Sequence, residues 1–135
     1  MNSFNIGKAI CSILLENGDV TNIVGNKIYP VIADETTTFP FIVYQRSGFT
    51  PQSDKDYSDE NVTIEMVIAS ETYAESIDLA IKVRKALEHK ESDKFGIRDI
   101  IVQDATEDYI DDTFIQQISF VVYIENGNDI LVVTK

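Results

Sequence analysis

The sequence predicts an α+β fold in the order α(α)βββαββ: an antiparallel or mixed sheet of about four to five strands, with two main helices packed on one face. Three observations carry that expectation. Residues 3–16 hold one apolar stripe at helical spacing. Residues 72–90 open on a helix-capping pattern and run on as the longest helix. Residues 60–69 and 114–125 alternate apolar and polar with the period of two that a half-buried strand shows.

Each element has its own reason. Ile6, Ile10, Ile13 and Leu14 fall at i, i+4, i+7 and i+8, with Phe4 and Leu15 flanking, which is the inner face of an amphipathic helix. Asn17-Gly18 reads as its stop, and Asp19 to Gly25 as a helix of one or two turns closed by glycine. Lys27 to Ala33 is strand-like and carries Pro30. Phe41 to Arg46, introduced by Pro40, is a stronger strand, rich in β-branched and aromatic residues. Proline has no N–H for a ladder, so it marks strand starts, bulges and edges. Gly48 to Asp59, with Pro51 and three aspartates, reads as a long exposed loop. In Glu60 to Ala69, Val62, Ile64, Met66 and Ile68 face one way, and Asn61, Thr63, Glu65 and Val67 the other.

Thr72-Tyr73-Ala74-Glu75 is a capping box. The helix behind it reaches about Lys90, with Tyr73, Ile77, Ala80, Ile81, Arg84 and Leu87 as the expected inner stripe and an Asp78–Lys82 pair outside. Ile97 to Gln103 and Phe114 to Glu125 are the next strands, and the acidic Asp104 to Asp112 stretch reads as the loop joining them. Asn126-Gly127 is a tight-turn signal before Ile130-Leu131-Val132-Val133, a last hairpin arm or an extension awaiting a partner. We expect one domain over residues 1–135, with 126–135 as that arm.

Composition excludes several classes. The formal net charge is −12, with 23 acidic residues against 11 basic ones and no basic cluster. Nucleic-acid binding is largely phosphate neutralisation by Lys and Arg, so no sequence-specific nucleic-acid partner is expected. No apolar run approaches the roughly 20 residues of a membrane helix. The run Ala9 to Leu15 is short and ends without a cleavage signal, so it reads as a helix. Cys11 and His89 are single residues of their kind, too few for a structural zinc. A Cys11–His89 catalytic pair is arithmetically allowed, but the settings favour a buried thiol and a solvated helix-end imidazole.

Nothing else carries chemistry. Asp104 to Asp112 holds five carboxylates in nine residues and could take Ca²⁺, as could Asp54, Asp56, Asp59 and Glu60, but neither stretch has EF-hand spacing and both read as solvated loops. Phosphate loops, nucleophile elbows and metal-ligand spacings are absent from the sequence. No catalytic residue, cofactor or metal is expected. Tyr29, Tyr44 and Tyr123 belong to strands. Tyr57 and Tyr109 lie in acidic segments and are interface candidates, because tyrosine is enriched where surfaces associate.

Gly25-Asn26-Lys27-Ile28-Tyr29-Pro30 followed by Phe39-Pro40-Phe41-Ile42-Val43-Tyr44 resembles the tail completion or tail terminator proteins of long-tailed bacteriophages and prophages. In that family the glycine is usually followed by residues like Arg-Ile-Tyr-Pro; here Lys27 stands for the arginine and keeps charge without bidentate geometry. The order of elements is similar along the whole chain. Gly25, Tyr29, Pro30 and Pro40 are read as sheet and turn determinants.

The resemblance implies a structural role in the virion tail, with assembly in the bacterial cytoplasm. It implies a homo-oligomeric ring, typically hexameric, at the head-proximal end of the tail tube. Its partners would be the tube protein and a head-completion or neck protein. Candidate ring contacts are Tyr57, Tyr109 and Ile130, Leu131, Val132 and Val133. Candidate acidic residues facing the passage are Asp54, Asp56 and Asp59, with Asp108, Asp111 and Asp112. Competing readings are another connector or neck adaptor, and a small ferredoxin-like ligand-binding regulatory domain. Solution mass separates a ring from a monomer or dimer stabilised by a metabolite.

Overall fold

The computed structural model describes residues 2–53 and 58–125. A 3₁₀ turn (Ser3–Asn5) leads into α1 (Ile6–Leu15) and α2 (Gly18–Val24). Next come β1 (Ile28–Pro30), β2 (Phe41–Ser53), β3 (Ser58–Ser70), α3 (Tyr73–Leu87), β4 (Ile97–Ile110) and β5 (Thr113–Ile124). The strands form one sheet in the order β1-β2-β3-β5-β4. The expected α+β class and element order hold.

The sheet is mixed. β1 runs parallel to β2, with Ile28 opposite Ile42. The other pairs are antiparallel. A parallel neighbour only ten residues away in sequence was not expected: short connections normally make hairpins. The loop from Val31 to Pro40 is drawn back by side chains. Lys27 Nζ donates to Thr38 O and Oγ1 at 3.0 and 3.2 Å, and Tyr29 Oη lies 2.7 Å from Thr37 Oγ1. Lys27 and Tyr29 thus tie this loop back to the start of β1. Gly25 ends α2 at φ +64°, and the Phe39–Pro40 peptide bond is cis.

α1 and α3 lie side by side over β2, β3 and β5, with α2 against both helices. Ile6, Ile10, Ile13 and Leu14 of α1 are buried, as the stripe predicted, and Ala9 is buried with them. The strand residues beneath are Ile42, Tyr44, Val62, Ile64, Met66, Ile68, Ile118, Phe120, Val122 and Ile124. Burying these apolar surfaces is the main stabilising term. The capping of α3 differs in detail: Thr72 Oγ1 accepts from Glu75 N, while the Glu75 carboxylate takes Ser70 Oγ, whose oxygen in turn accepts from Thr72 N. The Asp78–Lys82 pair forms at 2.9 Å.

Several expectations need correction. Asn17-Gly18 starts α2 more than it stops α1: Asn17 Oδ1 accepts from Val20 N as an N-cap. The Lys27 to Ala33 strand shrinks to three residues, because Val31 turns to φ +66°. The inner face of α3 is Ser76, Leu79, Val83, Ala86 and Leu87; of the expected stripe, Tyr73, Ile81 and Arg84 are exposed. Gly48 to Asp59 is no loop over most of its length: β2 runs on to Ser53 and β3 begins at Ser58, with a bulge at Ser47. Asp104 to Asp112 is likewise the lower half of β4 plus a two-residue turn at Asp111 and Asp112, at φ +51° and +59°. Carboxylates are poor strand formers, but strand pairing with β5 supplies their backbone partners.

Candidate assembly surface

The register sets the two long hairpins at opposite ends of the sheet. Glu60 lies opposite Ile124 and Ser70 opposite Phe114, so the β2–β3 hairpin extends past one end and the β4–β5 turn caps the other. The predicted site residues divide accordingly. Asp59 is on β3 and pairs with Arg98 at 3.1 Å. Tyr109, Asp108, Asp111 and Asp112 share the β4–β5 hairpin. Asp54, Asp56, Tyr57 and Ile130, Leu131, Val132 and Val133 fall outside the described residues.

Polar and aromatic contacts brace the hairpin. Tyr73 Oη donates to both Glu107 oxygens at 3.0 Å, and Gln116 Nε2 donates to Glu107 Oε2 at 3.0 Å and to Ser76 Oγ at 3.2 Å. Tyr109 packs on Phe114 with centroids 4.7 Å apart, Tyr73 on Phe114 at 5.7 Å. At the turn, Tyr109 Oη donates to Asp112 Oδ1 at 3.1 Å. Glu107 raises the Tyr73 phenol above its usual range through that hydrogen bond. Yet Tyr109 and Ile110 remain about half exposed, at 55% and 49%.

The opposite edge was not anticipated. α1, β1 and β2 frame a groove of about 350 Å³ lined by Phe4, Lys8, Val31, Tyr44 and Arg46 among others. Phe4 and Val31 are its exposed apolar residues, with Ile32 exposed next to them in the chain, and the Arg46 guanidinium sits 4.4 Å from the Phe4 ring centroid. The sequence held one signal for it: Phe4 flanks the buried stripe of α1 without belonging to it. The exposure of Val31 and Ile32 depends on the left-handed turn at Val31, which no local pattern announces.

Cys11 and His89, the candidate catalytic pair of the sequence, make their contacts with different strands. Cys11 is partly buried on α1, next to Tyr44 of β2. Burial pushes the thiol up, and burial with the Cys11 neighbour pushes the Tyr44 phenol up to about 12. His89 pairs instead with Asp99 of β4, the strand at the other edge of the sheet from β1, Nδ1 to Oδ1 3.1 Å. The Cys11–His89 pair is therefore not assembled. A raised thiol pKa also opposes a nucleophilic role, since the thiolate is the reactive form. A shallow concavity of about 430 Å³ is lined by Asp59, Asn61, Arg98, Asp99, Tyr123 and Ile124. Among the described residues, no group of three or more His, Cys, Asp or Glu side chains is placed to hold a metal ion, and no helix is long and apolar enough to cross a membrane.

The fold is a single sheet backed by helices, with an acidic hairpin at one edge and a groove carrying exposed apolar residues at the other. The sequence profile of the family "Tail completion protein gp17" matches residues 8–124, and the chain belongs to that family. It is a structural protein of a phage tail. Among solved structures, a chain from the "Virion of native gene transfer agent (GTA) particle" superposes with a TM-score of 0.76 at 13% identity, over 86% of this chain and 91% of that one. At that identity the likeness speaks for the fold. A search of curated proteins gave no match.

Proposed function

We propose that this protein assembles as a ring, of six copies, on the head-proximal end of the tail tube. There it ends tube growth and offers the surface to which the head is joined. Family membership over residues 8–124 is the observation that carries this reading. The unlike edges of the sheet support it, because a heterologous contact between unlike surfaces closes into a ring when its rotation closes. The role needs no catalysis, cofactor or nucleic-acid recognition. Assembly would take place in the host cytoplasm, with the tube protein on one side of the ring and a head-completion protein on the other.

The net charge of −12 suits a passage for DNA, since an acidic wall repels phosphate. The two acidic hairpins lie at opposite ends of the sheet, and we place the β2–β3 hairpin, with Asp59, at the passage. A ring map with that hairpin on the outer rim would reject the placement. The function itself is tested by deleting the gene. Particles lacking the protein should show overlong tails or tails without heads by electron microscopy; normal tails joined to heads would sink the proposal.

A further inference from the structure

We propose that the β4–β5 hairpin tip of one copy docks in the groove between α1 and the β1–β2 edge of a second copy of this chain. The inference rests on the ring reading and identifies the contact that would build the ring.

Four observations carry it. First, the two surfaces lie on opposite edges of one sheet, since the strand order is β1-β2-β3-β5-β4. A contact between them is heterologous and repeats from copy to copy. Second, both are apolar at the centre. The hairpin offers Tyr109 and Ile110; the groove offers Phe4 and Val31. Its floor is fixed: a side chain at Gly7 would meet the Tyr44 ring at 3.0 Å, so the ring lies directly against the backbone of α1.

Third, the charges are opposite. Lys8 and Arg46 line the groove, whereas Asp104, Glu107, Asp108, Asp111 and Asp112 lie along the hairpin. Opposite potentials across an interface steer association and fix its register. Fourth, Val31 holds φ +66°, a conformation unfavourable for a β-branched residue. Its N–H is tied to Tyr44 O at 2.8 Å, and its side chain is 64% exposed. Backbone strain that presents an apolar side chain to solvent gains nothing inside the subunit, and such strain concentrates at functional contacts. Packing of Val31 by a neighbour supplies the missing return.

The test uses the full chain with Cys11→Ser, Val31→Cys and Ile110→Cys. The two new thiols lie on opposite edges of one subunit, so a bond between them joins different copies. Mild oxidation should give a ladder on a denaturing gel, ending at the ring number, whereas either cysteine alone should stop at a dimer. Independently, Lys8→Glu with Arg46→Glu should weaken assembly at least tenfold by sedimentation, as should Asp108→Lys with Asp112→Lys. Mixing the two charge-reversed proteins should restore hetero-assembly. Assembly at native mass without a ladder, and indifferent to both reversals, would overturn the docking mode and leave the ring intact. Absence of any multi-copy species, in solution and on tail tubes, would overturn both.

Discussion

β4 and β5 form one continuous pair, yet its two halves live in different surroundings. Along the upper half, α3 covers one face: Ile97, Ile100, Ile118, Phe120, Val122 and Ile124 are buried. Along the lower half every β4 residue from Gln103 to Ile110 is exposed, and β5 from Thr113 to Gln117 is only partly covered. The backbone ladder is the same in both. What differs is the source of stability. The upper half rests on apolar burial. The lower half rests on strand pairing, a Tyr73–Glu107–Gln116 network and an aromatic cluster. A strand thus needs a covered face to look like one in sequence, but not to form one.

Two phenylalanines on one face of β5 give the largest contrast. Phe120 is 1% exposed in the core. Phe120→Ala should cost about 3–5 kcal/mol by urea unfolding, the usual cost of emptying a core aromatic site. Phe114, six residues away on the same face, is only partly covered. Phe114→Ala should cost under about 2 kcal/mol. Equal losses would break the comparison.

The next effect belongs to the covered end of the sheet. Ser3 Oγ donates to the Glu60 carboxylate, and both residues are buried. Ser3→Ala removes the hydroxyl partner of a buried carboxyl group and should destabilise by about 1–3 kcal/mol. Glu60→Gln, which lowers the demand for donors, should lose less. A larger loss for Glu60→Gln than for Ser3→Ala would show that this bond is not what secures the N-terminal turn.

The turn of the bare half comes third. Asp111 and Asp112 both hold positive φ. Aspartate tolerates that region; a β-branched residue does not. Asp112→Val should cost about 1–2 kcal/mol, while Asp112→Gly should be near neutral. If valine were tolerated as well as glycine, the hairpin turn would not be the two-residue form described.

These contrasts explain what was readable. α1, β3 and upper β5 declared themselves because one face of each is buried, so apolar residues recur at the period of the element. Lower β4 did not, since with both faces open nothing selects an alternation and its carboxylates resemble a loop. The α3 stripe was misplaced for a related reason: Ile77, Ala80 and Ile81 also recur at helical spacing, and the inclusion of Arg84 was the warning. Ser76, polar in sequence, is buried because its hydroxyl donates to Tyr73 O at 2.7 Å and accepts from Gln116. The parallel β1 rests on the contacts of Lys27 and Tyr29 across a loop, which no periodicity encodes. Of the surface proposed here for assembly, Tyr109 stood out in the sequence as an aromatic among charges. The groove was not, because Phe4, Lys8, Val31 and Arg46 converge only through the fold.

Two tyrosines sharpen the comparison with the smallest expected effect. Both phenols are raised, for different reasons. Burial is the main cause at Tyr44, up to about 12; a hydrogen bond to an exposed carboxylate is the main cause at Tyr73. A raised folded value for a phenol means that the neutral form is favoured by folding. The stability it contributes is present below pH 10, the unfolded value, and is lost as pH rises through the folded value. For Tyr44 that window runs from 10 to about 12, and Tyr44→Phe should flatten this part of the curve of melting temperature against pH. For Tyr73 the shift should vanish in Glu107→Ala, which removes both acceptor and charge, and shrink with added salt, because the pair is exposed to screening ions. The Tyr44 shift should survive both. Tyrosinate absorbance in the two variants reads this directly. A Tyr44 titration that moved with salt as much as that of Tyr73 would show that the covered half is far wetter than its packing implies.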